Sequence, residues 1–156
     1  MALVAAVLGL ALPGGAAVAF WSSSGSGPGT AATGTALPLA VTAGAATAGL
    51  HPGGTSAVAL VLSNPNTFPA QVPSLVLDTT QGTAGFAVDA AHSGCALGTL
   101  SFTTQTNGGA GWSLPPRVGA VNGSLAITLT NALAMSTGAV NACQGATFTI
   151  YLVAGP

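Results

Sequence analysis

The stretch that decides the fold is residues 50–77, LHPGGTSAVALVLSNPNTFPAQVPSLVL. Aliphatic side chains occupy every second position at Val58, Leu60 and Leu62, and a second aliphatic run follows at residues 74–77. A two-residue repeat of aliphatic side chains is typical of a strand that packs one face on a core. The stretch therefore predicts a turn, a strand, a Pro- and Asn-rich loop and a second strand.

The same pattern continues on both sides of this stretch. A first strand is predicted at residues 37–42, where Pro38 restricts it to an edge or a strand start, and residues 43–49 are interpreted as a continuation that switches sheets. Phe68 is predicted to plug the end of the core, and residues 131–142 are compatible with a helical turn. The other predicted strands are residues 56–63, 72–78, 85–90, 97–104, 124–130 and 146–153. About seven strands with regular turn signals predict an all-β fold, an immunoglobulin-like antiparallel β-sandwich.

The near-absence of charge excludes several classes of function. The 156 residues hold one Lys or Arg and two Asp or Glu, which is 2% charged residues, against about 25% in ordinary domains. Nucleic-acid binding and electrostatic attachment to anionic lipid both need basic patches, and the chain has none to offer. Such a composition favours an extracellular or wall-associated domain over a cytosolic enzyme.

The first 20 residues predict an apolar helix that serves export. The apolar run ends at Leu12, about 12 residues in, short of the roughly 20 that span a bilayer. A Pro-Gly-Gly break and a small-x-small pattern ending at Ala19 follow, as in a signal peptide. An uncleaved membrane anchor and a pilin-like filament helix are the alternatives. Residues 21–36 are interpreted as a Gly/Ser/Thr-rich linker and residues 37–156 as the β-domain.

The two cysteines, Cys95 and Cys143, predict an intramolecular disulfide, because an even number in an exported chain is typically paired. Two separate buried thiols are the alternative. Two cysteines without nearby histidines cannot complete a tetrahedral metal shell. No metal and no cofactor is therefore predicted.

A family resemblance rests on the order of motifs in the first half of the chain. An apolar leader precedes GGAAVAFWSSSGSG, a Thr/Gly spacer and a short strand, and GLHPGG then leads into a strand that ends in SNPN. In this order the chain resembles the secreted camelysin/TasA-type proteins and, more broadly, bacterial surface proteins with an immunoglobulin-like domain. The resemblance implies a matrix or surface protein, in some members polymerising when a leading strand inserts into the next subunit. Some relatives have been classed as metallopeptidases, but no acidic-His constellation here supports that activity.

The groups that carry chemistry are few. His51 lies in a Pro-Gly-Gly turn and is interpreted as a surface residue. Asp89, His92 and Ser93 invite comparison with a catalytic triad, but adjacent residues of an extended chain point to opposite faces. A metal at Asp89 and His92 needs at least one more ligand, and Asp78 is predicted to cap the turn that follows it. The sequence therefore predicts a protein that is not an enzyme.

A possible ligand surface is formed by Trp112 and Arg117, in the Gly/Pro-rich connection of residues 107–117. An exposed Trp suits a sugar ring, whereas the alternative is a loop Trp folded over the end of the domain. Asn122 begins an Asn-Gly-Ser sequon that is better interpreted as a turn.

The function predicted from all of this is a non-enzymatic structural or interaction protein that is secreted or held on the bacterial cell surface. It assembles with copies of itself, as in a fibre, or binds a cell-wall polymer. A module that binds cell-wall polysaccharide is the alternative. No nucleic acid is expected as partner, and a membrane only through residues 1–20 if they are not cleaved.

Overall fold

The computed structural model describes residues 35–47 and 49–156, which belong to one compact unit, Thr35–Pro156. The apolar helix predicted for residues 1–20, and all but the last two residues of the predicted linker, lie outside them. The strands are β1 (Ala40–Val41), β2 (Gly44–Ala46), β3 (Thr55–Asn64), β4 (Ala70–Val72), β5 (Ser74–Leu77), β6 (Phe86–Val88), β7 (Leu100–Phe102), β8 (Trp112–Leu114), β9 (Gly123–Met135), β10 (Phe148–Ile150) and β11 (Leu152–Gly155). Four three-residue 3-10 turns accompany them, at Ala90–His92, Leu97–Thr99, Asn107–Gly109 and Asn141–Cys143. The prediction of an all-β domain is confirmed.

Three antiparallel sheets make up the domain. The main sheet has the order β6-β10-β2-β3-β9-β7, with β1 also paired to β3. Its centre is the long β3–β9 ladder, which runs from Thr55 opposite Ala134 to Asn64 opposite Gly123. The two smaller sheets pair β11 with β5 and β4 with β8. None of the helices in the described residues is long and apolar enough to cross a membrane.

The alternation read in the sequence sets which face of the main sheet is buried. Val58, Leu60 and Leu62 of β3 are buried while Ala59 and Val61 between them are exposed. Strand β10 follows the same rule, and the two small sheets add their own aliphatic residues to one shared core. The buried hydrophobic residues are Val58, Leu60, Leu62, Val72, Leu75, Phe86, Cys95, Leu100, Leu114, Leu129, Ala132, Leu133, Met135, Cys143, Phe148, Ile150 and Leu152.

Several sequence predictions differ from the structure. Strand β2, which lies in the predicted sheet switch of residues 43–49, stays in the main sheet, because β1 and β2 both pair with β3. The strand count among the described residues exceeds seven, partly because Pro73, which has no N–H for a ladder, separates β4 from β5. The predicted plug, Phe68, is wrong as well: its side chain is 49% exposed.

Buried amides organise the loop after β3. Asn64 is fully buried, and its Nδ2 donates to the carbonyls of Phe68 (2.9 Å) and Pro115 (3.0 Å). Its Oδ1 accepts from the backbone N–H (2.9 Å) and the Nδ2 (3.0 Å) of Asn66. Asn66 in turn binds both backbone groups of Leu37, at 2.7 and 2.9 Å. This Asn64 network therefore joins the start of the described chain to two loops at one end of the domain.

Candidate functional site

The structure places Trp112 beside a polar groove on the main sheet. The groove has a volume of about 330 Å³ and is lined by the loop of residues 104–108, by Trp112 of β8 and by residues 128–130 of β9. We call it the Trp112 groove. Its size falls at the lower end of the roughly 300–1,000 Å³ typical of small-molecule sites.

Hydrogen bonds within the loop fix the wall of the groove. The backbone groups of Gln105 exchange hydrogen bonds of 2.8 and 3.1 Å with Leu75. Nδ2 of Asn107 donates to the carbonyl of Gly111 at 2.7 Å, and the hydroxyl of Thr106 accepts from the N–H of Gly109 at 3.3 Å. The loop therefore presents its side chains on a backbone that is already ordered.

Three of the four threonine hydroxyls that line the groove are available to a ligand. Thr104, Thr128 and Thr130 are exposed, and none of their side chains makes a hydrogen bond to another described residue. The lining includes no charged residue, so it offers neutral donors and acceptors next to the half-buried indole of Trp112. Such a surface suits an uncharged, hydroxyl-rich ligand, because the hydroxyls of both partners act as donor and acceptor.

Sequence reasoning singled out Trp112 and missed the threonines. The signal was present, since Thr128 and Thr130 alternate with the buried Leu129 and must face away from the core. The other predicted member of this surface, Arg117, is not part of the groove. Its backbone N–H donates to the carbonyl of Asn66 at 2.7 Å, at the end of the domain organised by the Asn64 network. The structure therefore does not bring Trp112 and Arg117 together in one groove.

His51 lines a different pocket, of about 350 Å³. Its neighbours there include Leu50, Met135, Val140 and Cys143. The His51 side chain makes no hydrogen bond or ion pair with a described residue, so no carboxylate orients it as a base. The interpretation of His51 as an exposed turn residue agrees with its position.

Asp89 and His92 do form a pair. Nδ1 of His92 lies 2.7 and 2.9 Å from the two carboxylate oxygens of Asp89. Asp89 also accepts from the N–H groups of Ala91 (3.1 Å) and Thr147 (2.7 Å), so it caps a 3-10 turn and joins it to the chain before β10. No hydroxyl in the described residues hydrogen-bonds to this imidazole, and the described residues contain no group of three or more His, Cys, Asp or Glu that could hold a metal. The visible role of the pair is to fasten a turn.

The two carboxylates predict how stability responds to acid. The Thr147 N–H and then the His92 imidazole hold the pKa of Asp89 below its ordinary value, and hydrogen bonds from Gln81 and Thr80 do the same for the pKa of Asp78. In an unfolded chain the pKa of Asp is about 4, so near that pH the folded state binds fewer protons at Asp78 and Asp89 than the unfolded state does. We expect the free energy of unfolding to fall as pH drops from about 5 through the lowered folded pKa values, as measured by urea unfolding between pH 6 and pH 2.

The control for this titration is a variant without any acidic side chain, which needs only two substitutions because the chain has two acidic residues. Asp78→Asn combined with Asp89→Asn should give a curve that is nearly flat over the same range. A double variant with the wild-type slope would show that neither carboxylate is responsible.

The disulfide forms as predicted. Cys95 and Cys143 are bonded, 48 residues apart in sequence, and both residues are buried. The bond joins the loop after the Asp89–His92 turn to the 3-10 turn Asn141–Cys143 beside the His51 pocket. It therefore adds a covalent link between two loops that adjoin the paired strands β6 and β10.

Comparison with known proteins identifies no relative of this chain. No family model matches the chain, and no curated protein or solved structure matches it. The resemblance to camelysin/TasA-type proteins and to surface proteins with an immunoglobulin-like domain therefore stays a prediction from the motifs of residues 1–66.

Proposed function

We propose that the protein is a non-enzymatic module, exported to the cell surface or the extracellular space, that acts by binding copies of itself or a cell-wall polymer. The observation that carries the proposal is the buried Cys95–Cys143 disulfide. Structural disulfides persist in oxidising compartments and are rare in the cytosol. The bond therefore supports the export predicted from the apolar run of residues 1–12.

The surface supports an interaction role. Ordinary domains hold themselves apart in solution with about 25% charged residues, whereas this chain has three formal charges in 156 residues. Low net charge promotes association between molecules. A surface with so little charge suits a protein that works packed against copies of itself or against an uncharged polymer.

We propose further that the domain is an immunoglobulin-like sandwich. An immunoglobulin-like sandwich places two layers of antiparallel strands around one core. The arrangement found here, in which small sheets share a core with a main sheet, supports such a sandwich. The disulfide covalently connects two loops of a domain that has few charged residues.

Export and oxidation are tested together in the organism that makes the protein. We expect the protein to be recovered from the medium or the cell surface with both cysteines protected from a thiol-reactive reagent until a reductant is added. A Cys95→Ser, Cys143→Ser variant, which has no thiols, calibrates the assay. Recovery in the cytosol with two reactive thiols would contradict the proposal. Self-association is read separately, by sedimentation and electron microscopy of the purified protein.

A second candidate function, binding of a neutral polysaccharide, is favoured by the Trp112 groove. The hydroxyls of Thr104, Thr128 and Thr130 make no hydrogen bond within the described residues, and the lining of the groove is uncharged. Replacing Thr104 and Thr130 by Val removes two hydroxyls at nearly constant volume. We expect retention on cell-wall polysaccharide to fall by roughly tenfold, about 1.4 kcal/mol, measured in a pull-down.

The matched control is Thr79→Val, which removes an exposed hydroxyl outside the groove. Equal retention of the groove variant and the control would reject the groove as the binding site. Trp112→Ala is a weaker test by itself, because Trp112 also packs on the core.

A further inference from the structure

Four large apolar side chains are exposed at one end of the domain. Leu37 is 53% exposed, Phe68 49%, Val118 77% and Val121 73%. We call these four residues the apolar tip. Single exposed hydrophobic residues are ordinary on proteins, but a group of them at one place marks an interaction site.

The Asn64 network brings these residues to the same end. Asn66 binds both backbone groups of Leu37, and Asn64 binds the carbonyl of Phe68. Asn66 also accepts from the N–H of Arg117, the residue that precedes Val118. The tip is therefore built on hydrogen bonds to two buried asparagines, through both side chains and the Asn66 carbonyl.

The two valines stand on a tight turn. Val118 and Val121 exchange backbone hydrogen bonds of 2.9 and 3.0 Å, with Gly119 and Ala120 between them. These bonds pair the backbone groups of the two valines and leave their aliphatic side chains exposed. The exposed backbone of Gly119 and Ala120 must then stay hydrated among the lipid headgroups while the valine side chains enter the apolar layer.

We propose that the apolar tip inserts into the surface of a lipid bilayer. The chain order favours a bilayer over a protein partner: the described chain begins at Thr35, two residues before Leu37, and the apolar run of residues 1–12 precedes it in the sequence. That run is shorter than the roughly 20 residues that span a bilayer. A single weak anchor gives only marginal membrane binding, and stable attachment needs a second contact. This placement takes residues 1–20 as the uncleaved anchor, the alternative to a cleaved signal peptide, and the tip then supplies the second contact near Thr35, where the described chain begins.

The electrostatics are compatible with this placement. Arg117, the only Lys or Arg of the chain, stands next to Val118. An Arg at a membrane surface keeps its guanidinium among the headgroups while its aliphatic stem lies along apolar neighbours. With one cation, insertion depends on apolar contact, and neutral lipid is the appropriate probe.

The experiment compares insertion depth at two exposed valines of the full chain. Val118→Trp places an indole on the tip, and Val140→Trp places one at a 55% exposed site outside it, in the His51 pocket. Both variants are mixed with vesicles of phosphatidylcholine whose acyl chains carry bromine, which quenches tryptophan on contact. Trp21 and Trp112 contribute equally to both. We expect severalfold more added quenching from position 118 than from position 140, and equal quenching would overturn the proposal.

A second pair of variants tests affinity without adding an aromatic residue. Val118→Ser with Val121→Ser should weaken flotation with neutral phosphatidylcholine vesicles by roughly tenfold or more. The control, Val140→Ser with Val153→Ser, removes two exposed valines elsewhere and should leave flotation unchanged. If the tip variant instead abolishes a dimer seen by sedimentation while flotation is unaffected, the tip binds a second copy and the membrane proposal is wrong.

Discussion

A chain carrying Cys95→Ser and Cys143→Ser is expected to lose about 4 kcal/mol of its free energy of unfolding. The bond closes a loop across 48 residues of sequence, and its removal returns that loop's conformational freedom to the unfolded chain. For a domain of this size the melting temperature should fall by roughly 15 °C. Thermal and urea unfolding followed by circular dichroism measure both quantities.

Reduction supplies the control for this variant. A reducing agent should bring the wild-type domain close to the melting temperature of the double-serine variant and should not alter the variant itself. If the reduced wild-type domain keeps its full stability, the loop-closure argument fails for this protein.

Asn64→Ala is expected to cost about 3 kcal/mol or more. The side chain is fully buried and makes four hydrogen bonds. Its removal leaves the Pro115 carbonyl and the Asn66 N–H without these partners inside the protein, and each unsatisfied buried group costs about 1–3 kcal/mol. The measurement is urea unfolding at neutral pH.

Asn122→Ala is the comparison for this substitution. Asn122 is exposed and its side chain makes a single hydrogen bond, to the hydroxyl of Ser63, so its loss should cost about 1 kcal/mol or less. Similar losses for the two variants would show that the Asn64 network is not a main support of the fold. Asn64→Ala should also increase proteolysis near Leu37, because Asn66 loses its two bonds to Asn64.

The strands that could be predicted were those with a strict alternation. Strand β3 was found within one residue at each end, and β10 lies within the predicted strand 146–153, with Phe148 and Ile150 buried on alternate positions. Local pattern was sufficient there because one face meets the core and the other does not. The disulfide followed from counting cysteines in a chain that looks exported.

The remaining features depend on contacts between distant residues. The Gly/Pro-rich composition of residues 107–117 indicated a loop, yet Trp112 opens β8, because β4 lies alongside and supplies its hydrogen bonds. The alternation of β3 places Asn64 on the same face as Leu62, but the sequence does not show which groups satisfy its amide, since the partners Phe68 and Pro115 are brought to it by the fold. Phe68 was misplaced for the same reason.

The candidate site shows the same division. Trp112 stood out as a rare aromatic residue, but the threonines beside it come from β9 and from the loop before β8, and only sheet pairing puts them in one groove. Arg117 is close to Trp112 in sequence and serves a different end of the domain. The closeness of Trp112 and Arg117 in sequence therefore did not show that they belong to the same groove.

The last strands of the chain determine when the domain can fold. β10 completes the main sheet by pairing with β2 and β6, and β11, just beyond Tyr151, pairs with β5. These partners lie up to about a hundred residues earlier, and sheets closed by such distant pairings form slowly. The main sheet therefore cannot close until β10 has been synthesised, and β2, β5 and β6 lack their partners until β10 and β11 are available.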